Sequence, residues 1–117
     1  MPTVLVVDDE PEIVQFVSAA LEDEGFAVTT AADGRQALEM AATARPDLVV
    51  LDMMLPRLGG EGIAKELRRA HGDLPILVMT ADGRAEEKAQ RVGAFAFLSK
   101  PFDLHRLVTL VRSRVEP

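Results

Sequence analysis

Four apolar runs in this chain each lead into polar groups, and those groups form a chemically coherent set. Val4-Leu5-Val6-Val7 runs into Asp8 and Asp9, and Leu48-Val49-Val50-Leu51 runs into Asp52. Ile76-Leu77-Val78-Met79 runs into Thr80, and Phe95-Ala96-Phe97-Leu98 passes through Ser99 to Lys100 and Pro101. Short runs rich in Val and Leu, bounded by polar residues, are the mark of strands buried on both faces of a parallel sheet. The carboxyl ends of such strands share one edge of the sheet, where open α/β folds place their ligands. Clustered carboxylates repel one another and resist joint ionisation unless a divalent cation or a lysine compensates. A single Asp after a strand is ordinarily a turn or cap residue. Three acids, a hydroxyl and an ammonium at matching strand ends point instead to a metal site.

The segments between the runs carry helical spacing. Residues 3–8 form the first expected strand, followed by a helix from Glu10 to about Glu24 whose start holds acids and Pro11. Its inward face is Ile13, Val17, Ala20 and Leu21, and Gly25 stops it. Phe26–Thr30 is the second strand, and Asp33 caps a helix carrying Ala37, Leu38 and Ala41. The third strand covers 47–52. A Pro/Gly-containing loop from Pro56 to Gly60 then opens a helix with Ile63 and Leu67 inside. The fourth strand covers 75–79, a short helix covers 84–92, and the fifth strand follows Gly93. Asp103 begins the last helix, with Leu104, Leu107, Val108 and Val111 facing in. Strands alternating with helices at this density require right-handed crossovers and a doubly wound sheet. No linker, repeat or composition break divides residues 1–117, which read as one domain.

Composition excludes several classes. The 117 residues carry a net charge of -6, which argues against direct nucleic-acid binding. No stretch reaches the roughly 20 apolar residues of a membrane span, and no apolar leader follows Met1. With no Cys, neither a disulfide framework nor a thiolate metal site is available. A cytoplasmic location fits best. Trp and Tyr are also absent, which removes the aromatics that most often stack on flavins or single-stranded bases.

Asp8-Asp9, Asp52-Met53-Met54-Leu55-Pro56, Thr80-Ala81 and Lys100-Pro101-Phe102, in that order, resemble the response-regulator receiver domain of two-component signalling. The opening Val4 to Glu10 and the segment Gly93 to Phe102 strengthen the resemblance, which covers essentially the whole chain. It implies a flavodoxin-like (βα)5 sandwich with a parallel sheet of order 2-1-3-4-5 and helices on both faces. It further implies that Asp52 is the phosphoacceptor, taking a phosphoryl group from a phosphohistidine on a sensor histidine kinase or a histidine phosphotransfer protein. Asp9 and Asp52 would ligate Mg²⁺, Asp8 would contribute to the acidic pocket, and Met54 would offer its backbone carbonyl. Lys100 would pair with phosphoryl oxygens and Thr80 would donate its hydroxyl. Thr80 and Phe97 would form the two-state element that modification biases. Val14, Gln15 and Ser18, on the outer side of the first helix, are candidate contacts for the kinase or phosphotransfer partner. The output protein is unspecified, and the domain would act as a monomer or a phosphorylation-dependent dimer. Both a stand-alone receiver and the receiver of a longer regulator remain open.

The chemistry agrees on independent grounds. Phosphoryl transfer needs an in-line nucleophile and neutralisation of equatorial charge, which carboxylates, Mg²⁺ and a flexible ammonium supply. A dehalogenase-type phosphohydrolase would need a second acid two residues after Asp52, where this chain has Met54. A flavodoxin-like electron carrier would need a phosphate-cradling loop after the first strand, which is acidic here. A phosphate-independent interaction domain would not need the intact set of acids, Thr80 and Lys100. The reading is therefore a signalling domain that promotes its own phosphorylation and dephosphorylation rather than an enzyme with an external substrate.

Two departures from the family's usual pattern stand out. Gly59-Gly60 replaces the Asp or Asn that commonly precedes the third helix, removing a capping side chain. The interval from Thr80 to Gly93 is short, which predicts a short, mobile or irregular fourth helix. Met54 and Asp82, each two residues beyond a site residue, occupy positions that bear on acyl-phosphate lifetime in the family. His71 and His105 read as solvated surface residues. Arg106, Arg112 and Arg114 make the last helix basic, as its C-terminus favours.

Overall fold

Every central strand is apolar on both faces because helices cover both. The computed structural model describes residues 1–55 and 59–116. Among the described residues ten elements alternate: β1 (Thr3–Val7), α1 (Pro11–Asp23), β2 (Ala27–Ala31), α2 (Gly34–Thr43) and β3 (Leu48–Asp52). They continue with α3 (Gly59–His71), β4 (Ile76–Thr80), α4 (Ala85–Val92), β5 (Ala96–Ser99) and α5 (Leu104–Arg114). The strands pair in parallel in the order β2-β1-β3-β4-β5, as the resemblance implied.

Side chains alternate across a strand, so each run splits between two cores. Leu5, Val7, Val49, Leu51, Ile76 and Val78 pack with Ala37 and Ala41 of α2, Ile63 and Leu67 of α3, and Ala89 and Val92 of α4. Val4, Val6, Leu48, Val50, Leu77 and Met79 pack instead with Val17 and Leu21 of α1 and Leu107 and Val111 of α5. All these strand residues are fully buried. At about 1.5–3 kcal/mol for each large side chain removed from water, the two cores specify the register: a one-residue slip would exchange their contents.

Several expected boundaries shift by a residue, with local causes. β1 ends at Val7 because Asp8 turns the chain, its Oδ1 accepting from the Glu10 N–H at 2.9 Å. Asp52 and Thr80 lie inside their strands, paired in register with Met79 and Ser99 respectively. Asp33 caps α2 by accepting from the Gln36 N–H at 2.8 Å, as expected, and Asp103 caps α5 through the His105 N–H at 2.9 Å.

The fourth helix is short but not irregular. It is a regular α-helix of 8 residues closed by Gly93 at φ 68°, with the Ala94 N–H returning to the Ala89 carbonyl at 2.8 Å. That left-handed closure, which favours glycine, supplies the order that a weakly apolar helix lacks on its own. The Pro/Gly loop expected over 56–60 lies outside the described residues except for Gly59 and Gly60. Those two open α3, and Gly60 is there for space: a Cβ would meet the Met53 Cα at 2.5 Å and the Asp52 carbonyl oxygen at 3.0 Å. The absent capping side chain at 59–60 thus coincides with a close approach of α3 to the end of β3. Among the described residues no helix is long and apolar enough to cross a membrane.

Candidate functional site

The carboxyl edge of the sheet brings together the groups that the sequence separates by as much as 92 positions. Asp8, Asp9, Glu10 and Asp52 each present a carboxylate oxygen, and these oxygens all lie within 4.8 Å of one another. Asp8 and Asp52 are buried, whereas Asp9 and Glu10 are exposed. Lys100 enters from the end of β5. Its Nζ donates to Asp8 Oδ2 at 2.8 Å and to Glu10 Oε1 at 2.9 Å, and lies 3.5 Å from Asp52 Oδ2. The Asp52 carboxylate is further fixed by the Met54 N–H, which donates to Oδ1 at 3.0 Å.

This geometry polarises two pKa values. Burial pushes the Asp52 carboxyl above the usual carboxylate range, and the charge of Asp8 adds to that rise. The Met54 N–H and the Lys100 ammonium pull the other way without cancelling it. For Lys100, burial opposes the charge, yet the bonds to Asp8 and Glu10 and the field of Asp52 leave it above the ordinary lysine range. Lys100 is therefore a fixed cation at neutral pH, and Asp52 is a more basic carboxylate than an exposed one.

Thr80 is wholly buried at the end of β4. Its Oγ1 donates to Asp82 Oδ1 at 3.1 Å. Phe97 lies on β5 in register with Val78 and is about one-third exposed. It borders an open hollow of about 510 Å³ between α4 and α5, shared with Glu86, Ala89 and Arg106. Thr80 and Phe97 are thus on adjacent strands, Phe97 lying two residues short of the level of Thr80 and partly exposed.

On the other side, Val14 and Gln15 border a groove of about 290 Å³ with Asp8, Asp9 and Thr30, as their place on α1 suggested. Ser18, one helical turn on from Val14, is partly buried, and its Oγ has no hydrogen-bond partner among the described residues. His105 is exposed and His71 is half-buried, and neither belongs to the acidic cluster. The basic face of α5 is largely engaged within the chain: Arg112 pairs with Glu24 at 2.9 Å, and Arg114 lies over the Phe95 ring at 5.2 Å.

Residues 4–112 match the response regulator receiver domain family. The chain is a response regulator receiver domain. Among curated relatives it is 42% identical over 113 residues to the probable transcriptional regulatory protein TcrX of Mycobacterium tuberculosis, covering 95% of this chain and 48% of TcrX. It is 39% identical to the DNA-binding dual master transcriptional regulator RpaA of Synechocystis, covering 97% of this chain and 48% of that protein. The receiver thus spans about half the length of these relatives. In structure it is similar to the chemotaxis protein CheY4 of Vibrio cholerae, with a TM-score of 0.90, 36% identity, and coverage of 98% and 99% of the two chains.

Three contacts were not expected from the sequence, although Asp82 itself was singled out there. Glu10 bonds Lys100 and joins the acidic cluster, and the only hint was its place directly after two acids. Asp82 holds the Thr80 hydroxyl, a contact that an Asp two residues from a Thr makes available. Lys88 bonds Asp82 from α4, and nothing in the linear pattern marks that pairing.

Proposed function

We propose that Asp52 is the phosphoacceptor of this receiver, and that Asp8, Asp9 and the Met54 carbonyl hold Mg²⁺ beside it. The observation that carries the reading is the placement of a buried, basic carboxylate 3.5 Å from a lysine ammonium and within an oxygen-only cluster. All-oxygen donors with two exposed members suit a hard divalent cation that keeps water ligands. When bound, Mg²⁺ would supply countercharge to the phosphoryl oxygens.

An Asp52 oxygen attacks phosphorus of the donor phosphohistidine. The P–N bond breaks, the imidazole leaves with the electron pair, and an acyl phosphate forms on Asp52. The Met54 N–H orients the carboxylate for attack. Lys100 shifts its ammonium from Asp8 and Glu10 toward the new phosphoryl oxygens, and the Thr80 hydroxyl donates to another. Loss of Thr80's present contact then biases Phe97 between outward and inward positions. The donor is a sensor histidine kinase or a histidine phosphotransfer protein, with Val14 and Gln15 in the docking surface beside the acidic groove. The change is read by an output domain or protein, in the cytoplasm, and no external substrate is turned over.

Intact mass after incubation with acetyl phosphate tests this directly. A single adduct of one phosphoryl group is expected with Mg²⁺, greatly reduced without it, and absent in Asp52→Asn. An adduct retained in Asp52→Asn would remove Asp52 from the role.

A further inference from the structure

The turn between β4 and α4 carries a constellation that the transfer chemistry itself does not require. A hydroxyl has one proton to donate. In Thr80 that proton goes to Asp82 Oδ1, so none is available to a phosphoryl oxygen while the contact lasts. Asp82 is anchored in turn. Its Oδ1 also accepts from the Arg84 N–H at 3.0 Å, and its Oδ2 is paired with the Lys88 ammonium from α4. The same ammonium lies 3.3 Å from the Met54 sulfur, two residues beyond Asp52. Contacts therefore run without a break from the chain after β3, across α4, to the buried hydroxyl at the end of β4.

We propose that Asp82, held by Lys88, is a positioning residue for Thr80: it occupies the Thr80 hydroxyl in the unphosphorylated protein, so a phosphoryl group on Asp52 must take Thr80 from it. The proposal rests on the phosphoacceptor reading of Asp52. Both competitors are anionic acceptors, so the hydroxyl exchanges one charge-assisted bond for another of similar strength. Such an exchange between near-equal partners is a two-state element that small changes can bias. Asp82 remains satisfied after Thr80 leaves, because the Arg84 N–H and Lys88 stay with it. The clamp thus opposes the phosphorylated conformation without being dismantled by it.

Trifluoroberyllate with Mg²⁺, a mimic of the phosphoryl group, measures the bias on the full chain by ¹⁹F NMR titration. Asp82→Ala should bind it about threefold to tenfold tighter than wild type, the worth of one hydrogen bond no longer opposing the bound form. The gain should vanish in a Thr80→Val background. Asp82→Asn, which keeps an acceptor oxygen but loses the charge, should show a smaller gain. Equal gains in Asp82→Ala and Asp82→Asn, or a gain that persists with Thr80→Val, would mean simple charge repulsion and overturn the clamp. A second readout needs no phosphoryl mimic. Three-bond couplings of Thr80 should report one side-chain rotamer in wild type and averaging in Asp82→Ala; a single rotamer in both overturns the proposal. If wild type forms no acetyl-phosphate adduct, the phosphoacceptor reading fails separately, and the Thr80 couplings still decide the clamp.

Discussion

Two lysine–carboxylate clusters sit beside Asp52, and they arrange the same charges in opposite order. At the end of β5 the ammonium of Lys100 points into the site, with Asp8 and Glu10 behind it and Asp52 at 3.5 Å. Beside α4 the carboxylate of Asp82 is the inner member, placed between the Lys88 ammonium and the Thr80 hydroxyl. The first cluster is dry at its centre, where the Lys100 side chain is 9% exposed and that of Asp8 0%, and wet only at Glu10. The second is wetter, with Lys88 and Asp82 at 19% and 27%. A buried cation facing the proposed phosphoacceptor is suited to receive negative charge. A half-solvated carboxylate holding a hydroxyl is built to give something up.

The comparison predicts very different costs for removing the two lysines. Lys100→Met leaves the buried Asp8 and Asp52 charges uncompensated, so without divalent cation it should lose about 2–4 kcal/mol of stability. Thermal melting should show a drop of about 10 °C, much of it recovered by millimolar Mg²⁺, whose charge replaces the ammonium. A Lys100→Met protein as stable as wild type in chelator would break the claim that the cation is a structural countercharge.

Asp52→Asn should move stability the other way. Because the folded carboxyl sits above its ordinary range, folding favours the protonated form. That contribution is fully present below the unfolded value of about 3.9 and is lost as pH rises through the folded value. At pH 7 ionised Asp52 is therefore a burden, and the neutral amide should raise Tm by about 3 °C in the absence of metal, an advantage that fades toward pH 3. Mg²⁺ should reverse the ranking by favouring the wild-type carboxylate.

Lys88→Met should do less. Its partner is solvated, so Tm should fall by no more than about 2 °C. The clearer effect is on titration: the Lys88 bond, followed by the Arg84 N–H, holds the Asp82 carboxyl below its usual range. Losing Lys88 should raise that value in a ¹³C carboxyl NMR titration while leaving Asp52 in place. An unmoved Asp82 would separate Lys88 from the clamp.

Much of this was legible in the chain because it depends on period and order. Val4 to Val7 and Leu48 to Leu51 are apolar at every position, which only a strand covered on both sides tolerates, and their following acids then had to meet. The Asp33 and Asp103 caps were legible because an Asp one residue before a helix has one obvious donor to meet. What stayed hidden depends on where long side chains reach. Lys100 crosses to Glu10, 90 positions away, and Lys88 reaches back to Met54 across 34. Flexible four-carbon stems leave no periodic trace of their targets.

Glu10→Gln gives the smallest effect and the finest test, because it divides the Lys100 cluster within itself. Lys100 bonds Asp8 and Glu10 at almost equal lengths, 2.8 and 2.9 Å, so distance alone would weigh them equally. Their settings differ: the Asp8 side chain is fully buried and that of Glu10 is 60% exposed. Water screens the second bond and keeps the freed carboxylate hydrated when it breaks, so Glu10→Gln should lower Tm by no more than about 1–2 °C. The loss should shrink further in 1 M salt, where the Debye length falls to about 3 Å. Any loss on removing the dry Asp8 contact should survive that salt. A Glu10→Gln deficit as large and as salt-resistant as that of Lys100→Met would mean that burial does not rank these contacts, and the contrast between a dry cation and a wet clamp would lose its physical basis.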